Sequence, residues 1–379
     1  MKILFVTTVS STINVFFMPH IAMLVQAGNT VDIACNDADL SVDPAFQQMG
    51  CRIFRIPFSR SVLTSDNLLA YRKIRSLLQS EHYELVHTHT PNASAITRIA
   101  ARTHRKNGLC VYYTAHGFHF YHGAPIRNWI LFYPLERFCS RFTDTLITIN
   151  QEDYLFAVKH MKAKRIVQIP GVGVNLERFQ SAKADRAAFR RETGIPEEAF
   201  VLLSVGELNR NKNHQIILRA IAALPSQSIH YAIAGVGPCA AELQSLAEAL
   251  GIGNRFHLLG YRKDVEQLYR NADLYLLPSF REGLNVSLME AMASGLPCVV
   301  SNARGNGDLI PDPQFHCRAT SAADFAAAIQ RLIDHPDRRE AAARTNRLVV
   351  QAFSTESVLK RLKDLYRQAV ETGRWPIRA

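Results

Sequence analysis

Short apolar runs of strand length alternate with helical periods along most of the chain, and this alternation restricts the possible folds more than any other feature. In the first half the apolar runs are 3–8, 30–35, 51–57, 84–89, 110–116 and 144–150, and helical stretches lie at 20–28, 67–80, 92–106, 127–142 and 151–160. Strands that are separated by helices form parallel sheets, because each helix carries the chain back to the edge from which the strand began. The first half is therefore predicted to be a β/α domain.

A second series of the same kind follows Pro170-Gly171-Val172-Gly173, with apolar runs at 200–206, 228–235, 256–260, 273–278 and 297–301. At 379 residues the chain has the length of about two domains. The sequence predicts an α/β fold of two doubly wound, Rossmann-like β/α domains, 1–172 and 173–354, that face each other across a cleft. The amphipathic final stretch, 355–372, is expected to form a helix that packs on either domain, including back on the first.

Composition excludes several classes of protein. The seven cysteines are scattered and never form Cys-x-x-Cys, which argues against a disulfide framework or a zinc module and favours a reducing cytoplasm. The first apolar run is too short for a signal peptide, and no segment approaches the roughly 20 apolar residues of a membrane-spanning helix. We expect a cytoplasmic protein that is soluble or bound peripherally to a membrane.

The formal charge of +11 calls for an acidic partner, which composition alone leaves open among nucleic acid, an anionic membrane and phosphorylated small molecules. The charge is unevenly distributed. The first 170 residues carry an excess of seven positive charges, and the remainder carries an excess of four.

The stretch 279–297 carries the most specific pattern of the chain. It reads Ser-Phe-Arg-Glu-Gly-Leu-Asn-Val-Ser-Leu-Met-Glu-Ala-Met-Ala-Ser-Gly-Leu-Pro, follows a predicted strand and begins a predicted helix. Gly283 permits a tight turn, so that the following amides lie at a helix N-terminus, where unpaired donors and the helix dipole favour phosphate. Glu282 precedes the turn and Glu290 lies about two helical turns inside, so the two acids can reach different parts of one extended ligand. Ordinary solvated helix positions are the alternative for both.

This stretch resembles the Glu-x7-Glu signature of the retaining glycosyltransferases of family 4, including the continuation Glu-Ala-Met-Ala-Ser-Gly-Leu-Pro. Three further segments carry the resemblance: Thr-Ala-His-Gly at 114–117, Pro-Gly-Val-Gly-Val-Asn at 170–175 and Ser-Val-Gly-Glu-Leu-Asn-Arg-Asn-Lys-Asn-His at 204–214. The family has the two-domain GT-B architecture, which the strand pattern suggests independently. The resemblance covers nearly the whole chain and implies an enzyme, a glycosyltransferase of the hexosyl type.

The resemblance implies roles for the residues of this signature. Glu282 matches the acid that contacts the donor sugar near the reacting carbon, and Glu290 matches the acid that binds the ribose hydroxyls of the nucleotide. A carboxylate suits both roles because it accepts charge-assisted hydrogen bonds from hydroxyls. The amides of Gly283, Leu284 and Asn285 would hold the distal phosphate and stabilise its charge as it leaves.

The loop that begins at Gly206 departs from the commoner family pattern. Lys212 matches the family's phosphate-contacting lysine. Where many members have Gly-Arg-Leu, this chain has Glu207 after Gly206, and the nearest arginine is Arg210. Either Arg210 supplies the second cation or Lys212 acts alone, and a solvent-facing loop arginine is as compatible with the sequence.

Five further positions match the family outside this signature and this loop. His116 matches the histidine that lies against the donor sugar and is held to assist transfer. Gly235 and Gly237 fall in a loop that borders the donor pocket, although Gly-Val-Gly-Pro alone is also a weak dinucleotide fingerprint. Tyr261 and Arg262 match the segment beside the nucleotide base, and structural roles are equally compatible with both side chains.

The sequence gives no reason to expect a metal ion or another cofactor, since the nucleoside-diphosphate sugar is a substrate. Seven of the fourteen histidines lie between residues 82 and 122. A metal site is conceivable there, but His87 and His89 share one strand face without a nearby carboxylate or cysteine. The loop 304–308 stands where the family has Gly-Gly-x-x-Glu. Its Asp308 is shorter than the usual acid, which leaves a donor contact open.

The aromatic stretch 118–133 is assigned to the acceptor or membrane side, through His119, Phe120, Tyr121, Arg127 and Trp129. The alternative is a buried helix that packs its rings inward. Together with the loop 206–214, this stretch resembles the branch of the family that builds bacterial capsule and exopolysaccharide repeat units on polyprenyl-diphosphate-linked sugars.

The resulting hypothesis is a retaining, metal-independent glycosyltransferase that moves a sugar from a UDP-sugar to a hydroxyl of a lipid-linked saccharide in bacterial surface polysaccharide assembly. Its partners would be the nucleotide sugar, the lipid-linked acceptor and an anionic inner membrane surface, with no nucleic acid. A nucleotide-sugar 2-epimerase of the same architecture is the enzymatic alternative. A basic nucleic-acid-binding protein is an alternative of another class, but the second half lacks a basic stripe with stacking aromatics.

Overall fold

The computed structural model describes residues 1–59, 61 and 64–371 and divides into two compact units. One unit comprises Met1–Val172 together with the described residues from Glu356 onward, and the other comprises Gly173–Thr355. The division falls at the Pro-Gly-Val-Gly segment of the sequence.

The first unit is built on a seven-stranded, fully parallel sheet with the order β3-β2-β1-β4-β5-β6-β7. Its strands are β1 (Lys2–Val9), β2 (Thr30–Asn36), β3 (Ile53–Arg55), β4 (Leu85–Thr88), β5 (Cys110–Ala115), β6 (Thr145–Thr148) and β7 (Arg165–Gln168). Its helices are α1 (Ser10–Phe16), α2 (Met18–Gln26), α3 (Pro44–Gln48), α4 (Ser65–Glu81), α5 (Pro91–Ala101), α6 (Ile126–Ser140) and α7 (Gln151–His160), with a 3-10 turn at His104–Asn107. The central strands are buried along almost their whole length, as is typical of a parallel sheet covered by helices on both faces.

The second unit has a six-stranded, fully parallel sheet with the order β10-β9-β8-β11-β12-β13. Its strands are β8 (Phe200–Val205), β9 (Ile229–Ala234), β10 (Phe256–Leu258), β11 (Leu274–Leu277), β12 (Cys298–Ser301) and β13 (His316–Cys317). Its helices are α8 (Leu176–Ser181), α9 (Arg186–Thr193), α10 (Gln215–Ala222), α11 (Ala240–Ala249), α12 (Val265–Asn271), α13 (Val286–Ala293), α14 (Asn306–Leu309), α15 (Ala322–Asp334) and α16 (Pro336–Val349). Three 3-10 turns lie at Gly253–Arg255, Pro313–Phe315 and Val350–Phe353. Both sheets reverse their strand order next to the first strand of the unit, as in Rossmann-like folds.

The last helix, α17 (Thr355–Glu371), packs on the first unit. Val358, Leu362, Leu365 and Tyr366 are buried in the core that includes β1, β2 and α2. The hydroxyl of Tyr112 donates to the carbonyl oxygen of Leu365 at 3.3 Å. Residue 372, the last of the predicted helix, lies outside the described residues.

The predicted fold class is confirmed: both units are α/β, with parallel, Rossmann-like sheets. The sequence interpretation missed the edge strands β7 and β13. These strands are four and two residues long, and all four residues of β7 are only half-buried, so neither strand shows the apolar run of a buried strand.

Candidate functional site

Loops converge at the carboxyl edge of the second sheet. Because all of its strands are parallel, the segments that follow β8, β9, β11 and β12 emerge at the same edge. These segments contain nearly every residue that the sequence assigned to the donor side.

The two glycine loops of this edge are in direct backbone contact. A Cβ atom on Gly235 would lie 1.8 Å from the carbonyl oxygen of Gly206, and one on Gly237 would lie 2.5 Å from the carbonyl oxygen of Leu208. The amide of Leu208 donates to the carbonyl of Val236 at 3.0 Å. Gly235 and Gly237 are therefore required for the packing of one loop on the other.

Lys212 and Glu282 form an ion pair at the centre of the edge. The distance from Lys212 Nζ to Glu282 Oε1 is 2.8 Å, and the two side chains are only 17% and 10% exposed. The lysine side chain passes over Gly206, where a Cβ would lie 3.5 Å from Lys212 Cε. The pair joins the β8 loop to the β11 loop through two groups that are partly shielded from water.

Asparagines fix the loop that carries Lys212. The side chain of Asn209 accepts from the amide of Lys212 at 3.1 Å. Asn211 accepts from the amide of Phe280 through its carbonyl at 2.8 Å and donates from its side chain to the carbonyl of Arg281 at 2.9 Å. Asn213 has a positive φ of 55° and donates to the carbonyls of Pro278 and Ala319 at 3.1 and 2.7 Å. The position of Lys212 relative to Glu282 is thus set by backbone contacts as well as by charge.

The N-cap of α13, Asn285, lies three residues after Glu282. Its side chain accepts from the amide of Leu288 at 2.9 Å. Within the described part of the chain, no acceptor is found for the amides of Gly283 and Leu284. Unpaired amides at a helix N-terminus form a binding place for an anion.

A second loop packs on this N-terminus. A Cβ on Gly305 would lie 1.8 Å from the carbonyl oxygen of Gly283, and the φ of Gly305 is +78°, which favours glycine. Arg304 Nε donates to the main-chain carbonyl of Glu282 at 3.1 Å. The sequence interpretation placed this loop beside the donor site but did not single out Arg304 itself.

Glu290 lies on α13, and the only hydrogen bond to its carboxylate that the described residues contain comes from a tyrosine hydroxyl. The hydroxyl of Tyr269 on α12 donates to Glu290 Oε2 at 2.9 Å. Burial raises the pKa of Glu290 to about 7, and the nearby Glu266 adds to this shift, whereas the Tyr269 hydrogen bond and Arg178 oppose it. No sequence signal identified Tyr269, which lies 21 positions earlier on another helix.

For three residues that the sequence assigned to the donor side, the structure shows solvent exposure or a structural ion pair instead of a contact with the Lys212–Glu282 pair. Arg210 is exposed, and Tyr261 is 71% exposed. Arg262 is paired with Asp264 at 2.6 Å and with Glu192 of α9. These two carboxylates keep the guanidinium of Arg262 in a structural contact, so the prediction that it binds the nucleotide base has no support from its geometry.

In the first unit, His116 follows β5 and belongs to a cluster of four histidines. His116 Nε2 lies 3.3 Å from Nδ1 of His89, and His87 lies between the hydroxyls of Thr114, at 2.8 Å, and Tyr366. His20 lines a small cavity of about 20 Å³ together with these three histidines and with Phe5 and Phe17.

Burial keeps these imidazoles neutral at pH 7. It lowers the pKa of His116 to about 4. It also lowers the pKa of His20 to about 4 and that of His87 to about 3, and the proximity of His116 adds to both shifts. Within residues 1–59, 61 and 64–371, no group of three His, Cys, Asp or Glu side chains is placed to hold a metal ion.

The aromatic stretch around α6 packs mostly inward. Phe120 is 2% exposed, and its ring centroid lies 5.7 Å from that of Trp129 and 5.5 Å from that of Phe156. The His119 ring contacts Phe132 at 4.7 Å. The ring of Phe120 is therefore part of the core and not of an exposed membrane surface, while its assignment to the acceptor side stays a prediction.

The outer face of α6 is aliphatic and carries Arg127. Ile126, Ile130 and Leu131 are 74%, 66% and 64% exposed, and Arg127 is exposed beside them. Tyr121 and Trp129 instead line a groove of about 420 Å³ toward α7. Among the described residues, no helix is long and apolar enough to cross a membrane.

Family models match both halves of the chain. A model described as Glycosyl transferases group 1 matches residues 185–349, and one described as Glycosyl transferase 4-like matches residues 2–150. The chain is 35% identical over 373 residues to the putative glycosyltransferase EpsD of Bacillus subtilis, with 96% of each chain covered. It is 27% identical over 346 residues to the UDP-Gal:alpha-D-GlcNAc-diphosphoundecaprenol alpha-1,3-galactosyltransferase of Escherichia coli, with 89% of this chain and 88% of the relative covered.

Solved structures share the fold at low sequence identity. The Anabaena protein HepE in complex with UDP and glucose has a TM-score of 0.80 at 20% identity, covering 97% of this chain and 100% of that one. Sucrose-phosphate synthase from Thermosynechococcus elongatus has a TM-score of 0.78 at 19% identity, covering 98% and 100%.

Proposed function

The chain belongs to the group 1 glycosyltransferases and has GT-B structural neighbours, and from this premise we propose that it transfers a sugar from a UDP-sugar to a hydroxyl of a polyprenyl-diphosphate-linked saccharide. The transfer retains the anomeric configuration and requires no metal ion. The product belongs to the assembly of a bacterial surface polysaccharide.

The observation that carries the donor assignment is the Lys212–Glu282 pair beside the N-terminus of α13. The pair is 2.8 Å long, and the amides of Gly283 and Leu284, which find no acceptor among the described residues, directly follow Glu282 in the chain. An ammonium group and helix N-terminal amides at one place suit a diphosphate. The carboxylate of Glu282 is at the same place to accept hydrogen bonds from sugar hydroxyls.

The chemistry asked of these residues is charge stabilisation. The bond between the anomeric carbon and the phosphate oxygen breaks, and the acceptor oxygen bonds to that carbon on the same face. The acceptor proton passes to the departing phosphate oxygen. Lys212 and the amides of residues 283–285 stabilise the negative charge that develops on the phosphate, which is usually the largest contribution of such a site to the rate.

Glu290 serves the other end of the donor. It lies two turns into α13, where its carboxylate can accept both ribose hydroxyls while Tyr269 holds one of its oxygens. Because burial raises its pKa to about 7, the ionised form is costly without a ligand. Two hydroxyl donors stabilise that form.

In the first unit, His116 is the candidate that assists transfer. Its pKa of about 4 means that it acts as a neutral imidazole, through hydrogen bonds rather than charge. His116→Phe keeps a ring of similar size in the cluster. We expect it to lower kcat while UDP binding stays unchanged, a separation that a mere folding defect would not produce.

The lipid-linked acceptor is supported by the Escherichia coli relative, whose name specifies a diphosphoundecaprenol-linked acceptor.

Membrane binding is supported by the aliphatic outer face of α6 with Arg127 and by the positive excess of the first 170 residues. In a flotation assay with anionic liposomes we expect binding that the double substitution Ile130→Ser and Leu131→Ser weakens. Leu348→Ser, at an equally exposed leucine of the second unit, is the control. Absence of liposome binding at both low and moderate salt would contradict the membrane assignment.

The function is tested by UDP release from UDP-sugars with and without a polyprenyl-diphosphate-linked saccharide. We expect release that depends on the acceptor, and a loss of about 100-fold or more in Glu282→Ala and in Lys212→Ala. Glu242→Ala, at an exposed acid of α11, is the matched control for folding and activity. Near-normal rates in either site variant would contradict the assignment, and conversion of the UDP-sugar into its 2-epimer without acceptor would favour the epimerase.

A further inference from the structure

The loop around Lys212 provides little net positive charge for a diphosphate. Glu207 is exposed and accepts from the side chain of Asn209 at 3.0 Å, and Arg210 is exposed. The one cation of this loop that is partly buried at the carboxyl edge is Lys212, and its charge is matched by Glu282 at 2.8 Å. Apart from the helix N-terminus, a diphosphate with at least two negative charges would therefore face the Lys212–Glu282 pair, whose net charge is almost zero.

Arg304 brings a second cation to Glu282 from the opposite loop. Lys212 contacts the side chain of Glu282, whereas Arg304 Nε donates to the main-chain carbonyl of the same residue at 3.1 Å. Both cations therefore meet the residue that directly precedes the unpaired amides of Gly283 and Leu284. Arg304 is only half-buried, so water and a ligand can reach it.

Gly305 fixes the backbone position of its neighbour Arg304, and with it the position of the Arg304 side chain. Its Cα is so close to the carbonyl of Gly283 that a Cβ would overlap the carbonyl oxygen at 1.8 Å. The backbone of Gly305, next to Arg304, thereby packs against the turn that precedes α13. The guanidinium of Arg304 has a planar set of five N–H donors, and the hydrogen bond from its Nε to the Glu282 carbonyl orients it.

We propose that Arg304 is the second cation of the donor site and binds the distal phosphate of the nucleotide together with Lys212 and the amides of Gly283 and Leu284. This inference rests on the proposed function. It assigns the role to Arg304 in place of Arg210, the arginine that the sequence favoured. It also accounts for the tight packing of the 304–305 backbone on residue 283, because that packing holds the guanidinium beside the anion site.

The test is a calorimetric titration of the full chain with uridine, UMP and UDP, which differ only in their phosphates. For Arg304→Gln we expect UDP to bind about 10-fold to 100-fold more weakly, the loss of one charge-assisted contact. Uridine and UMP are expected to bind within a factor of about two or three of the unmodified protein, because Glu290, the proposed ribose contact, is untouched. Arg304→Lys, which keeps the charge, should recover part of the UDP affinity.

Two further variants separate the explanations. Arg344→Gln removes an exposed arginine of α16 and is the neutral control. Arg210→Gln tests the competing assignment, and a selective loss of UDP affinity there instead of at Arg304 would overturn the proposal. An equal loss for uridine, UMP and UDP in Arg304→Gln would also overturn it, because that result indicates a purely structural role for the arginine. Failure of the unmodified protein to bind UDP would instead contradict the proposed donor.

Discussion

At the scale of single residues, Glu290 is an acid whose burial makes its ionised form costly in the ligand-free protein, while the same carboxylate is proposed to bind the nucleotide. Its carboxyl is buried beside Tyr269, and burial raises its pKa to about 7. The sequence predicted that this acid lies inside a helix near the anion site. It could not predict the burial, because the residues that enclose Glu290 come from α12 and other elements distant in the chain.

Glu290→Gln is expected to stabilise the ligand-free protein at high pH and to weaken nucleotide binding. Since the pKa is higher in the folded state than in the unfolded state, folding takes up a proton at this group between pH 4.5 and about 7, and the contribution of Glu290 to the stability of the unmodified protein falls over this range as the pH rises. Thermal or urea unfolding at pH 5 and pH 8 should show a difference between the two proteins that grows with pH, on the order of 3 kcal/mol at most. Equal stability differences at both pH values would contradict the raised pKa, and Glu242→Gln is the control.

At the scale of elements, the α13 N-terminus combines a structural cap with the proposed anion site. The Asn285 side chain is used for capping, whereas the amides just before it face no acceptor among the described residues. The helix start could be predicted from Gly283 and the apolar pattern that follows. The contact of Gly305 with this turn could not, because it depends on how the β12 loop folds over the β11 loop.

Asn285→Asp is expected to separate the two roles of this turn. Asp is as good an N-cap as Asn, so the free energy of unfolding should change by less than about 0.5 kcal/mol. The added negative charge lies at the diphosphate position, so UDP affinity should fall, and most strongly at low salt. Calorimetric titration at two salt concentrations together with urea unfolding measures both effects. Unchanged UDP affinity would contradict an anion site at this turn.

Helices α5 and α6 are joined by a buried ion pair that has no catalytic role in this account. Arg98 is fully buried, donates to Glu136 at 2.7 Å and lies 4.1 Å from the ring centroid of Tyr113. Glu136→Ala leaves a buried charge unpaired and should cost about 3–5 kcal/mol of stability. The double variant Arg98→Met and Glu136→Leu should recover most of that loss in urea unfolding. A double variant that is as unstable as the single one would contradict this interpretation.

At the scale of the whole molecule, the sequence predicted two parallel α/β sheets because alternating apolar runs and helical periods survive in nearly every element. It missed the short edge strands β7 and β13. It did not show that Phe120 is buried, since a run of aromatics does not reveal which rings turn inward. The histidines of residues 82–122 suggested a metal site as one alternative. In the structure, four histidines, including His20 from α2, form an apolar-walled cluster in which neighbouring imidazoles and hydroxyls are partners.

This cluster predicts a loss of stability in mild acid. The pKa values of His20 and His116 are lowered to about 4 in the folded state, so the unfolded state binds more protons below pH 6.5. The contribution of this cluster to stability should be fully present above pH 6.5 and fall as the pH is lowered toward 4, by up to about 1.4 kcal/mol per pH unit for each histidine. His20→Leu should flatten this dependence in urea unfolding, whereas substitution of the exposed His122 by Gln should not. A pH dependence that His20→Leu leaves unchanged would contradict the neutral cluster.

The proposed retaining sugar transfer can be tested through the anomeric configuration of its product. The protein is incubated with a panel of UDP-sugars and a polyprenyl-diphosphate-linked saccharide, and the new linkage is identified by NMR from its anomeric coupling constant. We expect a new linkage that has the same anomeric configuration as the donor and that forms in an amount equal to that of the released UDP. A product with inverted configuration, or release of UDP without a new linkage, would contradict retaining sugar transfer.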